Sequence, residues 1–155
     1  LCLFSRAFRF SNHIYFLICT DCRGNTVKTI NYDDAGRPTG VTDTQGGNIN
    51  WTYDNADRVL SETTPAGTVS YAYNIASQIT SMPAADRAAV NYEYDTAGRL
   101  STITQSGQAF IFNYDILSRR SSLQRPNGVT TSYNYDQLDR LSRLTHANGA
   151  GTLED

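Results

Sequence analysis

Cysteine vanishes from this chain after residue 22: Cys2, Cys19 and Cys22 are the only three in 155 residues. Disulfides therefore do not hold the main body together. Lysine is scarcer still, because of 13 basic residues only Lys28 is not arginine. Arginine pairs with carboxylates through a flat fork and stacks on rings, so the bias favours fixed contacts over a merely solvated surface. Long apolar runs are also missing. The longest, residues 14–19, falls well short of the ~20 residues that a membrane-spanning helix needs, so no membrane span is expected. Arg6 and Arg9 ahead of it give a faint likeness to a secretion signal, without the small residues of a cleavage region. With 15 acidic against 13 basic residues and a net charge of −2, there is no basic stripe and no nucleic-acid partner is expected. A helical period is absent between residues 24 and 149.

What the chain does have is tyrosine, 10 copies of it, and six of them fall in one column: Tyr32, Tyr53, Tyr73, Tyr94, Tyr114 and Tyr135, spaced 20 or 21 residues apart. The next position reads Asp33, Asp54, Asn74, Asp95, Asp115 and Asp136. Four residues beyond that stand Arg37, Arg58, Gln78, Arg99, Arg119 and Arg140. Before each key Tyr, large apolar residues alternate with small or polar ones, as in Ile49, Trp51, Tyr53 or Phe110, Phe112, Tyr114. That period of two predicts a strand with one aromatic and one wetter face. The Asp opens a type I turn whose fourth residue needs positive φ. Gly36, Asp57, Ser77, Gly98, Ser118 and Asp139 occupy that fourth position; Gly suits it, Asp tolerates it and Ser is the least comfortable.

A second strand and a second turn complete each repeat. The second turn carries Gly46 or Gly47, Gly67, Gly107, Gly128 and Gly149, with Asn127-Gly128 and Asn148-Gly149 reading as two-residue hairpin turns. The third repeat has no glycine there, and Met82-Pro83-Ala84-Ala85-Asp86 reads as a longer, irregular connection. Six repeats of two strands predict about twelve strands of ordinary length. The fold expected is all-β: tandem β-hairpins of 20–21 residues forming a curved, elongated antiparallel sheet. Residues 24–149 hold the six repeats, residues 1–23 form an atypical leader of either strands or a short helix, and residues 150–155 start a further repeat.

The third repeat loses both charges together, with Asn74 for Asp and Gln78 for Arg, while the other five keep both. Losing one member of a pair would leave the other desolvated without compensation, so joint loss predicts that each Asp and its Arg interact.

Catalytic candidates are few, and no enzyme activity or cofactor is expected. His13 and His146 lie in unrelated places, and His146, just before Ala-Asn-Gly, reads as a solvent-facing turn residue. Carboxylates that recur in the same turn position, in five of six repeats, serve the turn rather than an acid–base site. Cys19-Thr-Asp-Cys22, with Cys2 and His13, could offer four metal ligands, but the spacing fits no usual zinc pattern and no second C-x-x-C exists. Regularly spaced Tyr, Trp and Arg on a sheet could stack on sugar rings; packing between neighbouring strands is the plainer use of them.

The run Tyr94-Asp95-Thr96-Ala97-Gly98-Arg99-Leu100 closely resembles the YD repeat of the Rhs family, and the likeness extends over residues 24–149. The family includes bacterial polymorphic toxins, cocoon-forming subunits of insecticidal toxin complexes, wall-associated proteins and the animal teneurins. The resemblance implies repeats that spiral into a hollow β-shell, in the toxins enclosing a toxic polypeptide until delivery, and some members are linked to carbohydrate binding. It implies as partners further repeats of the same shell, an enclosed polypeptide or a carbohydrate, and a secreted or cell-surface setting in a bacterium. Six repeats amount to part of a wall. Bare first and last strands would pair or aggregate unless the leader covers an edge.

Overall fold

The computed structural model describes residues 6–10, 14–20, 27–43, 46–148 and 151–153. Among these there is no helix, and every regular element is a strand. The chain divides into two units, Leu1–Gln78 with Met82–Arg87 and Ile79–Ser81 with Ala88–Asp155.

In the first unit, β1 (Arg6–Phe10), β2 (Ile14–Thr20), β3 (Val27–Tyr32), β4 (Pro38–Asp43), β5 (Gly47–Tyr53), β6 (Val59–Thr64) and β7 (Gly67–Ser70) are hydrogen-bonded neighbours in chain order. Each pair is antiparallel, from Phe8 opposite Phe16 to Glu62 opposite Val69. The two-residue strand β8 (Ala72–Tyr73) follows, and the end of β9 (Ile79–Ala84) pairs Ala84 with Val69. In the second unit, β10 (Arg87–Tyr94), β11 (Leu100–Gln105), β12 (Gln108–Tyr114), β13 (Arg120–Gln124), β14 (Thr130–Tyr135), β15 (Leu141–Asn148) and β16 (Gly151–Leu153) repeat the same chain-order meander. Apart from β7 with β9, these pairings join strands adjacent in sequence, each closed by its own turn. The segment before residue 24, open to strands or helix on sequence, forms β1 and β2, and β2 continues the sheet onto β3.

Alternation decides the faces. In β5, Ile49, Trp51 and Tyr53 are half-buried, while Asn48, Asn50 and Thr52 are exposed. The opposite face is a lattice of small polar groups, with Thr52 hydroxyl to Ser61 hydroxyl at 2.6 Å and Asn113 amide donating to Ser122 hydroxyl at 2.9 Å. On the aromatic face the Trp51 indole N–H donates to Glu62 Oε2 at 2.8 Å. No apolar side chain is fully buried in residues 29–43 and 46–148, and the one buried polar side chain there is Thr131, 2% exposed. Residues 29–43 and 46–148 thus form sheet with no fully buried apolar side chain.

Several local expectations change. Thirteen strands, β3 to β15, cover the repeats instead of twelve. The extra one arises because the third repeat's first strand breaks at Tyr71, whose amide bonds back to the Leu60 carbonyl at 2.8 Å. Pro83 explains the break: with Ala85 N donating to Thr68 O, antiparallel alternation puts residue 83's amide opposite Ser70, and proline has none to give. The connection there is not long or irregular, since β9 runs through Pro83 and only Ala85-Asp86 turn. Asn127-Gly128 is not a two-residue turn either. Gly128 N donates to Arg125 O and Arg125 N to Val129 O, with Gly128 at φ 80 and Asn127 outside the positive region, which is the same turn as the Tyr-Asp one. Pro126 favours it by presetting φ for a type I turn. Two-residue turns are found instead at Ser106-Gly107, with φ of 51 and 76 and Gln105 opposite Gln108, and at Pro65-Ala66, with Thr64 opposite Gly67. Asn148 ends β15 opposite Gly151; Gly149 lies outside the described residues. His146 is not a turn residue: it sits within β15, half-buried opposite Thr131, and its Nδ1 lies 2.8 Å from the Thr131 hydroxyl, which also accepts from Arg125.

Candidate functional site: a ladder of tyrosine–aspartate turns

Each Asp in the column spends one carboxylate oxygen on the backbone. Asp54 Oδ1 accepts the Ala56 amide at 2.8 Å and the Arg58 amide at 3.0 Å, and Asp95, Asp115, Asp136 and Asp33 do the same in their own turns. The turn is closed by Asp57 N to Asp54 O and Asp54 N to Arg58 O, so the Arg amide and its side chain return to the Asp that opened it. The second oxygen, Oδ2, then takes the guanidinium. The Arg Nε lies 2.7 Å from Oδ2 at Asp33, Asp54 and Asp95, and 2.8 Å away at Asp115 and Asp136. At Asp54 and Asp95 the Arg amide and then the Arg side chain hold the carboxyl below its usual pKa, against an opposing effect of partial burial. At Asp115 partial burial is the largest influence and pushes upward, but the hydrogen bonds from Arg119 and Leu117 outweigh it.

The third repeat copies this arrangement without charge. The Asn74 amide donates to Gln78 Oε1 at 2.9 Å, and Asn74 Oδ1 accepts the Ala76 and Gln78 amides. Joint replacement therefore keeps every contact of the turn, which single replacement would not.

Fixed by its own Asp, the guanidinium of Arg37, Arg58, Arg99 or Arg119 reaches the next turn. Arg37 lies 4.7 Å above the Tyr53 ring, Arg58 4.6 Å above Tyr73, Arg99 4.5 Å above Tyr114 and Arg119 4.3 Å above Tyr135. The same Nη1 donates to the next turn's fourth residue: Asp57 at 2.6 Å, Ser77 at 3.2 Å, Ser118 at 3.0 Å and Asp139 at 2.5 Å. Tyrosine returns the link, for its hydroxyl donates to the carbonyl just after the preceding Arg or Gln: Tyr53 to Pro38, Tyr73 to Val59, Tyr94 to Ile79, Tyr114 to Leu100 and Tyr135 to Arg120. The ring is a packing surface as expected, but its partner is the guanidinium of the repeat before it.

The four non-glycine fourth residues are held at φ near 61–62. Such a conformation costs about 1–2 kcal/mol for an ordinary residue. The charge pairs themselves are only part-buried, with Asp95 and Arg99 side chains 25% and 29% exposed, so each contributes modestly by itself. A bulge follows five of the turns: with Thr52 opposite Ser61 and Tyr53 opposite Val59, Leu60 is extra, and Thr39, Ser101, Ser121 and Ser142 hold the same place. Bulges bend a strand and increase its twist. Neither the bulges nor the cross-repeat stacking was visible in the spacing; the arginine-for-lysine bias was the one compositional hint.

No group of three or more candidate metal ligands occurs among the described residues. Cys2, His13 and Cys22 lie outside them.

No curated protein sequence matches the chain. Solved structures that share its fold include TcdB2-TccC3 without its hypervariable C-terminal region (20% identity, TM-score 0.74, 88% of this chain and 9% of that one) and TcdB2-TccC3-TEV (18% identity, TM-score 0.73, 90% and 9%). The chain thus spans about a tenth of the length of the chains it matches. The Teneurin YD-shell family matches over residues 8–151, the whole run of turns built above. The chain therefore belongs to the teneurin YD-shell family and is a YD-repeat, shell-forming segment of the Rhs type.

Proposed function

We propose that this chain is a stretch of wall in a hollow YD-repeat shell whose interior holds a polypeptide, such as a toxin, apart from its surroundings until delivery. The carrying observation is that no apolar side chain is fully buried in residues 29–43 and 46–148 of a chain that is 39% hydrophobic. A sheet of this kind makes sense where each face meets something else, a neighbouring stretch of wall, a lumen or solvent. On this reading the chain works by enclosure rather than catalysis, in a secreted or cell-surface protein of a bacterium. Carbohydrate binding by the Tyr column is disfavoured because four of its rings are covered by a guanidinium and five of its hydroxyls are bound to backbone carbonyls.

The test is a chimera in which this chain replaces the matched segment of TcdB2-TccC3. A polypeptide enclosed there should remain resistant to added protease. Cleavage at the rate of the free polypeptide would count against the reading, and specific retention of the isolated chain on a glycan array would favour surface binding instead.

A further inference from the structure

Opposite the residue that stands two places before a key Tyr, the neighbouring strand places one side chain on the same face. In the first, fourth, fifth and sixth repeats that side chain is aliphatic: Val41 opposite Ile30, Ile103 opposite Tyr92, Leu123 opposite Phe112 and Leu144 opposite Tyr133. In the second repeat it is a carboxylate, Glu62 opposite Trp51, and both residues are half-buried. The indole N–H donates to Glu62 Oε2 at 2.8 Å, and Oε1 has no hydrogen-bond or ion-pair partner among the described residues. A carboxylate offers about four acceptor positions, so one neutral N–H leaves most of its charge unanswered on a face of rings and aliphatics. The indole does not require it either, since a half-buried donor can bond to water.

Elsewhere in the chain a ring beside a carboxylate holds a guanidinium. Arg37 lies 4.7 Å above Tyr53 while bonding Asp33 and Asp57, and Arg119 lies 4.3 Å above Tyr135 while bonding Asp115 and Asp139. Phe112 and Tyr133, which share the repeat position of Trp51, are approached by Arg120 at 4.9 Å and 5.8 Å. Arg120 directly follows a column Arg, and the residues that do so around Trp51 are Pro38 and Val59, which carry no charge. Among the described residues no cation lies over the Trp51 ring. We propose that Trp51 and Glu62 form a recognition seat for an arginine side chain of a second polypeptide laid along this face of the sheet. The guanidinium stacks on the indole, and its fork meets the carboxylate. Charge and shape select arginine together: a lysine ammonium pairs with the carboxylate but does not stack as a plane, and a neutral side chain answers neither group. The seat does not depend on what the shell encloses.

Trp51 is the one tryptophan in the chain, so its fluorescence reports on the seat directly. The full chain is titrated with a capped Gly-Arg-Gly peptide, and the emission should change saturably. The lysine version of the peptide should bind about fivefold more weakly, and the citrulline version should give no saturable change. Glu62→Gln keeps an acceptor for the indole N–H and should weaken the arginine peptide about fivefold. Glu62→Leu guards against misfolding, because leucine already occupies this register place at Leu123 and Leu144, and it too should weaken or remove the saturable change. An emission change that never saturates, that is equal for arginine and citrulline, or that is unaltered in both variants would overturn the proposal.

Discussion

At the residue scale, the turn is a division of labour inside one carboxylate. One oxygen satisfies two backbone amides and the other fixes an arginine, so Asp is both turn opener and clamp. Tyr114→Phe removes only the hydroxyl bond to the Leu100 carbonyl and should destabilise by about 1 kcal/mol, measured by urea denaturation. Ser106→Gly should do the reverse, stabilising by up to about 1 kcal/mol, because Ser106 sits at φ 51 in a turn that favours glycine. Acid gives a collective test. The column carboxyls have folded pKa values below their ordinary ones, so their contribution is fully present above the unfolded carboxylate pKa of about 4 and is lost as pH falls through the folded values. The denaturation midpoint should therefore hold from neutral pH to about 4 and fall below it. A midpoint that rises on acidification would contradict the clamp. The pairing of Asp with Arg was legible in the sequence because Asn74 and Gln78 changed together. The stacking of Arg on the following Tyr was not, because a contact made 15 or 16 residues away leaves no periodic trace of its own.

Among the elements, strand alternation, the Tyr-Asp turns and the chain-order meander all follow from local pattern, and those were the parts readable in advance. The errors share a cause: turn chemistry depends on neighbours outside the dipeptide. Asn127-Gly128 looked like a two-residue turn, but Pro126 steers the segment into a type I turn, so Gly128 plays the role that Gly98 plays in a Tyr-Asp turn. Met82 to Asp86 looked irregular, yet Pro83 lies within a strand and expresses its missing amide one strand away, at Tyr71. Pro83→Ala should restore a donor facing Ser70 and slow amide exchange in residues 69–73. Unchanged exchange there would mean that the break has another origin.

At the scale of the whole molecule, the absence of a fully buried apolar side chain in residues 29–43 and 46–148 means that the stability of this stretch rests on hydrogen-bonded ladders and half-covered rings. Exposed apolar residues gather at turn tips and on β15, with Ile75 and Ile116 fully exposed and Leu138 72% exposed. The isolated chain should therefore bind an apolar dye such as ANS strongly and self-associate with rising concentration. Enclosing it in a shell should suppress both. Membership in a shell-forming family was legible through the resemblance of the run from Tyr94 to Leu100 to the YD repeat, whereas the lack of buried apolar side chains in residues 29–43 and 46–148 was not, since 39% hydrophobic content would serve an ordinary domain equally well.

The most direct measurement is electron cryomicroscopy of TcdB2-TccC3 carrying this chain in place of its matched segment. The account predicts continuous wall density for the segment, with successive Tyr-Asp turns stacked along one line and an open lumen on one face of the sheet. A segment lying outside the wall, or a compact domain with its apolar residues folded inward, would contradict it.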